Sequence, residues 1–318
     1  MNSNEPVSTA VGSAVGDLLD GGVVWTPEIE ALSKNIVQQL RLDQPGMIVT
    51  GQQRVGKSWA CRYVVHAMED LLGYPIAAFL WEIPDDHGKS VREFIQLVAS
   101  QSGCERYSHR DKVVLRNRLL SRLIEQARSA GTRRIVLMID EAQNLIDQEY
   151  AQLVHIFNSL ERQGLRPFVL LMGQPELMNK QEDWMTKQAH QMIGRFSTRV
   201  HTFNAIAASD FEAVLDGFDS GTPEESAAYR THPKLYAEGF RVRQLAPRIV
   251  EAVSAMAYAQ NLNWEPRMPM QYLRSCLLAL LNTIRETGVR PEALDQSTVT
   301  GCLKACNFGN VLQFYAGK

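Results

Sequence analysis

Two periodicities alternate along this chain as far as about residue 203, and a single one remains after that. Unbroken apolar runs predict buried strands at Met47-Ile48-Val49-Thr50, 76–81, 134–139 and 166–172, with a short final strand at 198–203. Helical spacing fills the gaps. Thr26, Pro27 and early acidic residues read as the start of a helix over 27–40. Further helices are expected from Trp59 onward, near 90–100, over 110–130 and over 149–162. Strand alternating with helix over 46–203 predicts a three-layer α/β sandwich around a parallel sheet. From Ser209 onward only the helical period survives, near 209–218, 243–260, 268–287 and 296–306. The expected division is therefore a flexible or partner-ordered arm over 1–22, rich in Ser, Gly, Asn and Ala, an α/β domain over 23–205, and an all-helical lid over 206–318. No internal repeat or low-complexity tract interrupts this pattern.

The junction of the first strand with the next helix carries the chemistry. Gly51-Gln52-Gln53-Arg54-Val55-Gly56-Lys57-Ser58 fits G-x-x-x-x-G-K-[ST], with an apolar strand before it and Trp59-Ala60-Cys61 continuing as a helix. Glycines 51 and 56 let the backbone wrap close to an anion, and the helix start offers free N–H groups to phosphate. Lys57 is placed for β- and γ-phosphates and the Ser58 hydroxyl for Mg²⁺. The loop through Trp59 is the expected nucleotide-binding segment, and ATP with Mg²⁺ the expected ligand.

A second strand ends in Asp140-Glu141-Ala142-Gln143. A buried strand delivers both carboxylates to its C-terminal edge, where open α/β sheets bind ligands. Asp140 is expected to hold Mg²⁺ beside Ser58, and Glu141 to orient and polarise the attacking water. The following strand ends in Met172-Gly173-Gln174-Pro175-Glu176-Leu177, which makes Gln174 the candidate to reach the γ-phosphate or that water. A Gly-Gln-Pro turn that merely ends the strand is the plainer reading.

Composition narrows the class only slightly. At 318 residues, 45% hydrophobic and 21% charged, the chain has the balance of an ordinary globular protein, and its net charge of −2 argues against a wholly basic nucleic-acid binder. Five scattered cysteines, with Cys302 and Cys306 at helical spacing, suit core positions in a reducing cytosol better than a metal site. No basic N-terminal region and no run of 18 apolar residues predicts a signal peptide or a membrane span.

A P-loop, an Asp-Glu-Ala-Gln strand end, a Gly-Gln-Pro-Glu-Leu strand end and a helical lid, in that order over roughly 25–260, resemble the AAA+ ATPases. Within them the chain is similar to the TnsC/TniB-type transposition regulators, and somewhat less so to the ExeA-type secretion ATPases that share the two strand-end motifs. The resemblance implies a cytoplasmic, ATP-dependent homo-oligomer, ring or filament, assembled on duplex DNA. It also implies a transposase as partner, recruited and activated with a target-selector protein, and slow hydrolysis serving as an assembly switch. The secretion-type alternative is a cytosolic ATPase that remodels a protein complex. Such proteins commonly add a membrane span and a peptidoglycan-binding region, and a chain ending at Lys318 without them favours the DNA regulator. A third reading is a nucleotide-binding module without turnover, which intact Lys57, Asp140 and Glu141 oppose.

Three further roles come only through that resemblance. The superfamily completes its site with an arginine from a neighbouring subunit. Arg195 and Arg199, in Ile193-Gly194-Arg195-Phe196-Ser197-Thr198-Arg199, both occupy the right stretch, and Arg195 is preferred. The lid arginine corresponds best to Arg243 in Gly239-Phe240-Arg241-Val242-Arg243. An insert after the second strand usually faces the pore, which makes Lys89 and Arg92 candidate DNA contacts. A separate stripe between Arg110 and Arg134, eight basic residues against two acidic ones, suits either phosphate contact or a solvated helix face.

Overall fold

A computed structural model describes residues 24–262 and 265–315, leaving aside the side chains of Val65 and His66. The arm expected over 1–22 lies outside the described residues. Contacts divide the described residues into two units: one holds Ile29–Gln53 and Lys57–Phe203, the other 24–28, Arg54–Gly56 and the described residues from Asn204 onward.

The first unit is built on five parallel strands: β1 (Gly46–Thr50), β2 (Ala77–Glu82), β3 (Arg134–Asp140), β4 (Arg166–Gly173) and β5 (Val200–Thr202). Their order is β2-β3-β4-β1-β5. Seven helices flank them: α1 (Pro27–Arg41), α2 (Lys57–Leu72), α3 (Val91–Gln101), α4 (Lys112–Ser129), α5 (Asp147–Arg162), α6 (Leu177–Thr186) and α7 (His190–Phe196). Strands β1 and β3 are buried at every position, as expected for strands covered on both faces. On one face Ile48, Ile135, Leu137, Ile139, Val169 and Leu171 share a core with the apolar stripes of α3, α4 and α5. The alternate residues Met47, Val49, Val136, Met138, Leu170 and Met172 are equally buried and point the other way, because strand side chains alternate. Helix α2 packs on β2 and β3.

Register decides what meets at the C-terminal edge. Thr50 pairs with Gly173 of β4 and Thr202 of β5, while Ile139 pairs with Leu171. The P-loop, the residues after β3 and the residues after β4 therefore leave the sheet side by side. Helices α6 and α7 lie between β4 and β5, where Gly194 and the Gly-Gln-Pro turn leave little helical period to read in the sequence.

The second unit is helical, with α8 (Phe211–Asp216), α9 (Ala227–Thr231), α10 (Pro233–Ala237), α11 (Ala246–Ala259), α12 (Met270–Thr287) and α13 (Gln296–Ala305). It also contains a short antiparallel pair, β6 (Ile206–Ala207) with β7 (Arg267–Met268), which an all-helical expectation omits. Two-residue strands leave no periodicity to detect. Asp219 organises the loops here, accepting from Ser226 Oγ at 2.7 Å, the Ala228 N–H at 2.9 Å and the Val242 N–H at 2.6 Å.

Candidate nucleotide site

The loop after β1 is shaped by two glycines used in different ways. Gly56 has φ +114°, a backbone that side-chain-bearing residues rarely adopt. At Gly51 the constraint is space: a Cβ would stand 2.2 Å from the Phe203 carbonyl oxygen. Arg54 is left-handed as well, at φ 63°, and its guanidinium donates to the Tyr272 hydroxyl at 3.0 Å. Gln52, Gln53, Ser58 and Trp59 are exposed and Val55 is buried. The Arg62 guanidinium lies over the Trp59 ring, 5.4 Å from its centroid.

Lys57 opens α2 and is only 5% exposed. Its Nζ donates to the carbonyls of Gly51 at 2.7 Å and Gln52 at 2.8 Å. Burial lowers its pKa below the ordinary lysine value, with the charges of Glu141, Asp140 and Glu176 pulling the other way.

Asp140 ends β3 and is 3% exposed. Its carboxylate accepts from the Glu141 N–H at 3.0 Å. Burial raises its pKa; the Ser58 hydroxyl opposes that shift and the Glu141 charge adds to it.

Glu141 sits in the left-handed region, φ 54° and ψ 39°. For a residue with a side chain such backbone costs about 1–3 kcal/mol and persists only where surroundings impose it. Its Oε2 accepts from Gln143 Nε2 at 2.5 Å and Gln174 Nε2 at 3.3 Å. Gln143 Oε1 in turn accepts from the Gln174 N–H at 3.1 Å, and Gln53 Nε2 reaches Gln174 Oε1 at 2.8 Å. One carboxylate is thus clamped by amides from two strand ends, with the P-loop tied in through Gln53. Gln143 and Gln53 had no role in the sequence beyond membership of their motifs; their contacts depend on the kink at Glu141 and on the β3-β4-β1 adjacency.

The side chains present fit a Mg²⁺-nucleotide. The Ser58 hydroxyl and the Asp140 carboxylate are hard oxygen donors of the kind Mg²⁺ takes, with water and phosphate completing the shell. Beside them stands a buried ammonium whose hydrogen-bond partners are neutral carbonyls, a point charge suited to phosphate.

The remaining sequence candidates are dispersed. Arg195, in the last turn of α7, donates to Asn158 Oδ1 through Nε at 3.1 Å and Nη2 at 2.7 Å and covers the Phe157 ring. Arg199 is exposed; its carbonyl accepts from the Ile48 N–H at 2.8 Å, and burial, followed by the Arg199 charge, lowers the His201 pKa. Arg243 belongs to the second unit and pairs with Asp216 at 3.3 Å. Lys89 and Arg92 are exposed, in and just after a loop held down by His87. The His87 ring contacts the fully buried Glu149 carboxylate at 3.1 Å and the Pro84 carbonyl at 2.7 Å. The basic stripe does not form one face. Arg134 is 8% exposed and bonded to Asp43, and Arg133 donates to the Gly164 carbonyl. Sequence proximity here spans a helix, a turn and a strand start. Trp81 and Trp184 are core residues, and all five cysteines are free. Among the described residues no helix is long and apolar enough to cross a membrane, and no group of three or more His, Cys, Asp or Glu is arranged to hold a metal.

Fold and site together define the class: the α/β unit has the AAA+ P-loop NTPase fold. Residues 40–180 match a family model described as AAA domain. The Aeropyrum pernix ORC2 protein in its ADPNP–ADP complexes superposes with TM-score 0.59 at 12% identity, over 88% of this chain and 67% of that one. Its ADP form gives 0.57 at 13% identity, over 88% and 68%. At such identity the likeness speaks to fold alone. No curated protein matches the sequence significantly.

Proposed function

We propose that this protein is a Mg²⁺-dependent ATPase that assembles as a homo-oligomer on duplex DNA and regulates transposition by recruiting a transposase. The observation that carries the ATPase reading is the Glu141 carboxylate held by Gln143 and Gln174 beside the Ser58–Asp140 pair. Lys57 binds and orients phosphate, and Ser58 and Asp140 would hold the metal. Bound Mg²⁺ supplies neutralisation of phosphate charge and withdraws electrons from the scissile bond. Glu141 positions a water and polarises its O–H toward Oε1 or Oε2, while Gln174 fixes the side of approach.

The DNA and transposition part rests on the Asp-Glu-Ala-Gln and Gly-Gln-Pro-Glu-Leu resemblance to TnsC/TniB-type regulators. Of the two candidates for a residue completing a neighbour's site, Arg199 is favoured by its exposure and lack of a side-chain hydrogen bond among the described residues; Arg195 is committed to Asn158. Arg243 is the proposed lid arginine, and Lys89 and Arg92 the proposed DNA contacts. The test is sedimentation and electron microscopy with duplex DNA, with and without ATP. Oligomers requiring both are expected. Assembly indifferent to DNA would instead favour the secretion-type reading.

A further inference from the structure

At the opposite edge of the sheet a second charged site is built from different elements. Arg134 and Asp140 bound β3, so this edge lies about 20 Å from the nucleotide residues at ~3.3 Å per strand residue. A cavity of about 590 Å³ opens there, with Arg41, Arg133, Arg134, Arg166, Asp43 and Tyr74 in its lining. The parallel register sets Arg134 beside Arg166. Asp43, itself left-handed at φ 53°, binds Arg134 at 2.6 Å and Arg166 at 3.5 Å. Arg133 is held by the Gly164 carbonyl at 2.8 Å and Arg41 by the Leu71 carbonyl at 3.5 Å.

Four guanidiniums therefore line a cleft that holds one carboxylate; Arg41, Arg133 and Arg134 are each held by a backbone carbonyl, and Arg166 reaches Asp43. Helix C-terminal carbonyls account for part of this, since Arg134 donates to Leu40 at the end of α1 and Arg41 to Leu71 in the last turn of α2. They do not account for Arg133 or Arg166. Carbonyl partners orient a guanidinium without neutralising it, and each keeps further N–H groups in a planar fork that matches phosphate. We propose that this cleft is an anion site, separate from the nucleotide site, that takes phosphate groups, either those of a duplex DNA backbone or those of a free oligophosphate. Leu40, Tyr74 and Pro75 share the lining, and the guanidiniums clustered among them favour phosphate as the charged ligand. The DNA arm rests on the DNA-binding reading above; the oligophosphate arm does not.

The test compares Arg41→Ala/Arg133→Ala with the parent, neither residue being a partner of Asp43. In duplex-DNA anisotropy over a salt series, a DNA source predicts weaker binding and a log–log salt slope shallower by about two, at ~0.9 per phosphate contact. In calorimetry with pyrophosphate, carried out in a Lys57→Ala background so that the difference isolates the cleft, a free-phosphate source predicts at least a tenfold loss on adding the double substitution. Arg133→Gln/Arg166→Gln repeats both arms should the first pair lower thermal stability. Parent-like DNA slope together with parent-like pyrophosphate affinity overturns the proposal and leaves DNA binding standing. Parent protein that ignores DNA overturns the DNA reading, with pyrophosphate still deciding the cleft. Polyglutamate bound in place of either phosphate ligand also overturns it.

Discussion

Gln143 Nε2 stands 2.5 Å from Glu141 Oε2, two positions along the chain from the carboxylate it holds. The left-handed backbone at Glu141 ends β3 and starts the short 3-10 turn Ala142–Asn144, whose middle residue is Gln143. Gln143→Ala removes this donor and also the acceptor for the Gln174 N–H. Loss of such a supporting partner is expected to slow hydrolysis by about 10–100-fold while ATP affinity stays near the parent value. Steady-state phosphate release beside fluorescent-nucleotide binding separates the two.

Glu141→Gln keeps the shape and the kink but removes the charge proposed to polarise water. Hydrolysis should fall by about 10²–10⁴-fold, with a longer-lived ATP-bound state. Glu141→Gly should be equally inactive yet more stable than Glu141→Gln, by about 1 kcal/mol, because glycine accepts the left-handed backbone. Thermal melts of the two variants read that difference; equal melting temperatures would show that the kink stores no strain.

Asp140→Asn should stabilise the apo-protein while abolishing turnover. The sign follows from the raised pKa. Folded protein holds the Asp140 proton more tightly than unfolded chain does. The contribution is therefore fully present below the ordinary value of 3.8 and is lost as pH climbs through the raised value. At neutral pH the buried charge beside Glu141 is a net cost. Removing it should raise the melting temperature by a few degrees, at roughly 2–4 °C per kcal/mol, and flatten the mildly acidic part of the stability curve.

Lys57 predicts a proton linkage of opposite sign. Its pKa is lowered by burial from 10.5, so the cation proposed to bind phosphate is lost at a lower pH than an exposed lysine would be. A phosphate beside it restores the proton. Nucleotide binding at alkaline pH should therefore take up protons, seen as a calorimetric enthalpy that varies with the ionisation enthalpy of the buffer. Lys57→Met should abolish that dependence along with most of the affinity.

Arg195→Ala and Arg199→Ala should part company. The first breaks two hydrogen bonds to Asn158 and the contact with Phe157, so its main effect should be thermal destabilisation of about 1–2 kcal/mol. The second should melt like the parent yet lose hydrolysis in the assembled state. The opposite pattern would return the completing role to Arg195.

Much of this was legible along the chain. Continuous apolar runs located β1, β3 and β4 because a strand covered on both faces has no polar period to confuse it. The P-loop and Asp140-Glu141 were readable because their chemistry is local. What escaped depends on through-space geometry: Gln143 and Gln53 acquire roles only once β3, β4 and β1 are neighbours. The basic stripe failed for the converse reason. Arg133 and Arg134 stand at a turn and a strand start, so they turn away from the helix that carries Arg116 and Arg122. Helices α6 and α7 are short, and Gly194 interrupts the apolar spacing of the second, so both are too brief for a period to show.

Gly51 carries one last consequence. Its missing side chain makes room for the Phe203 carbonyl, which follows β5, where the Phe203 N–H bonds Thr50 O at 2.7 Å. The first letter of a phosphate signature is thus also a seam of the sheet. A descendant that abandoned nucleotide altogether would be free to replace Lys57 and Ser58 and still be obliged to keep this glycine. One letter of the motif would outlast its chemistry.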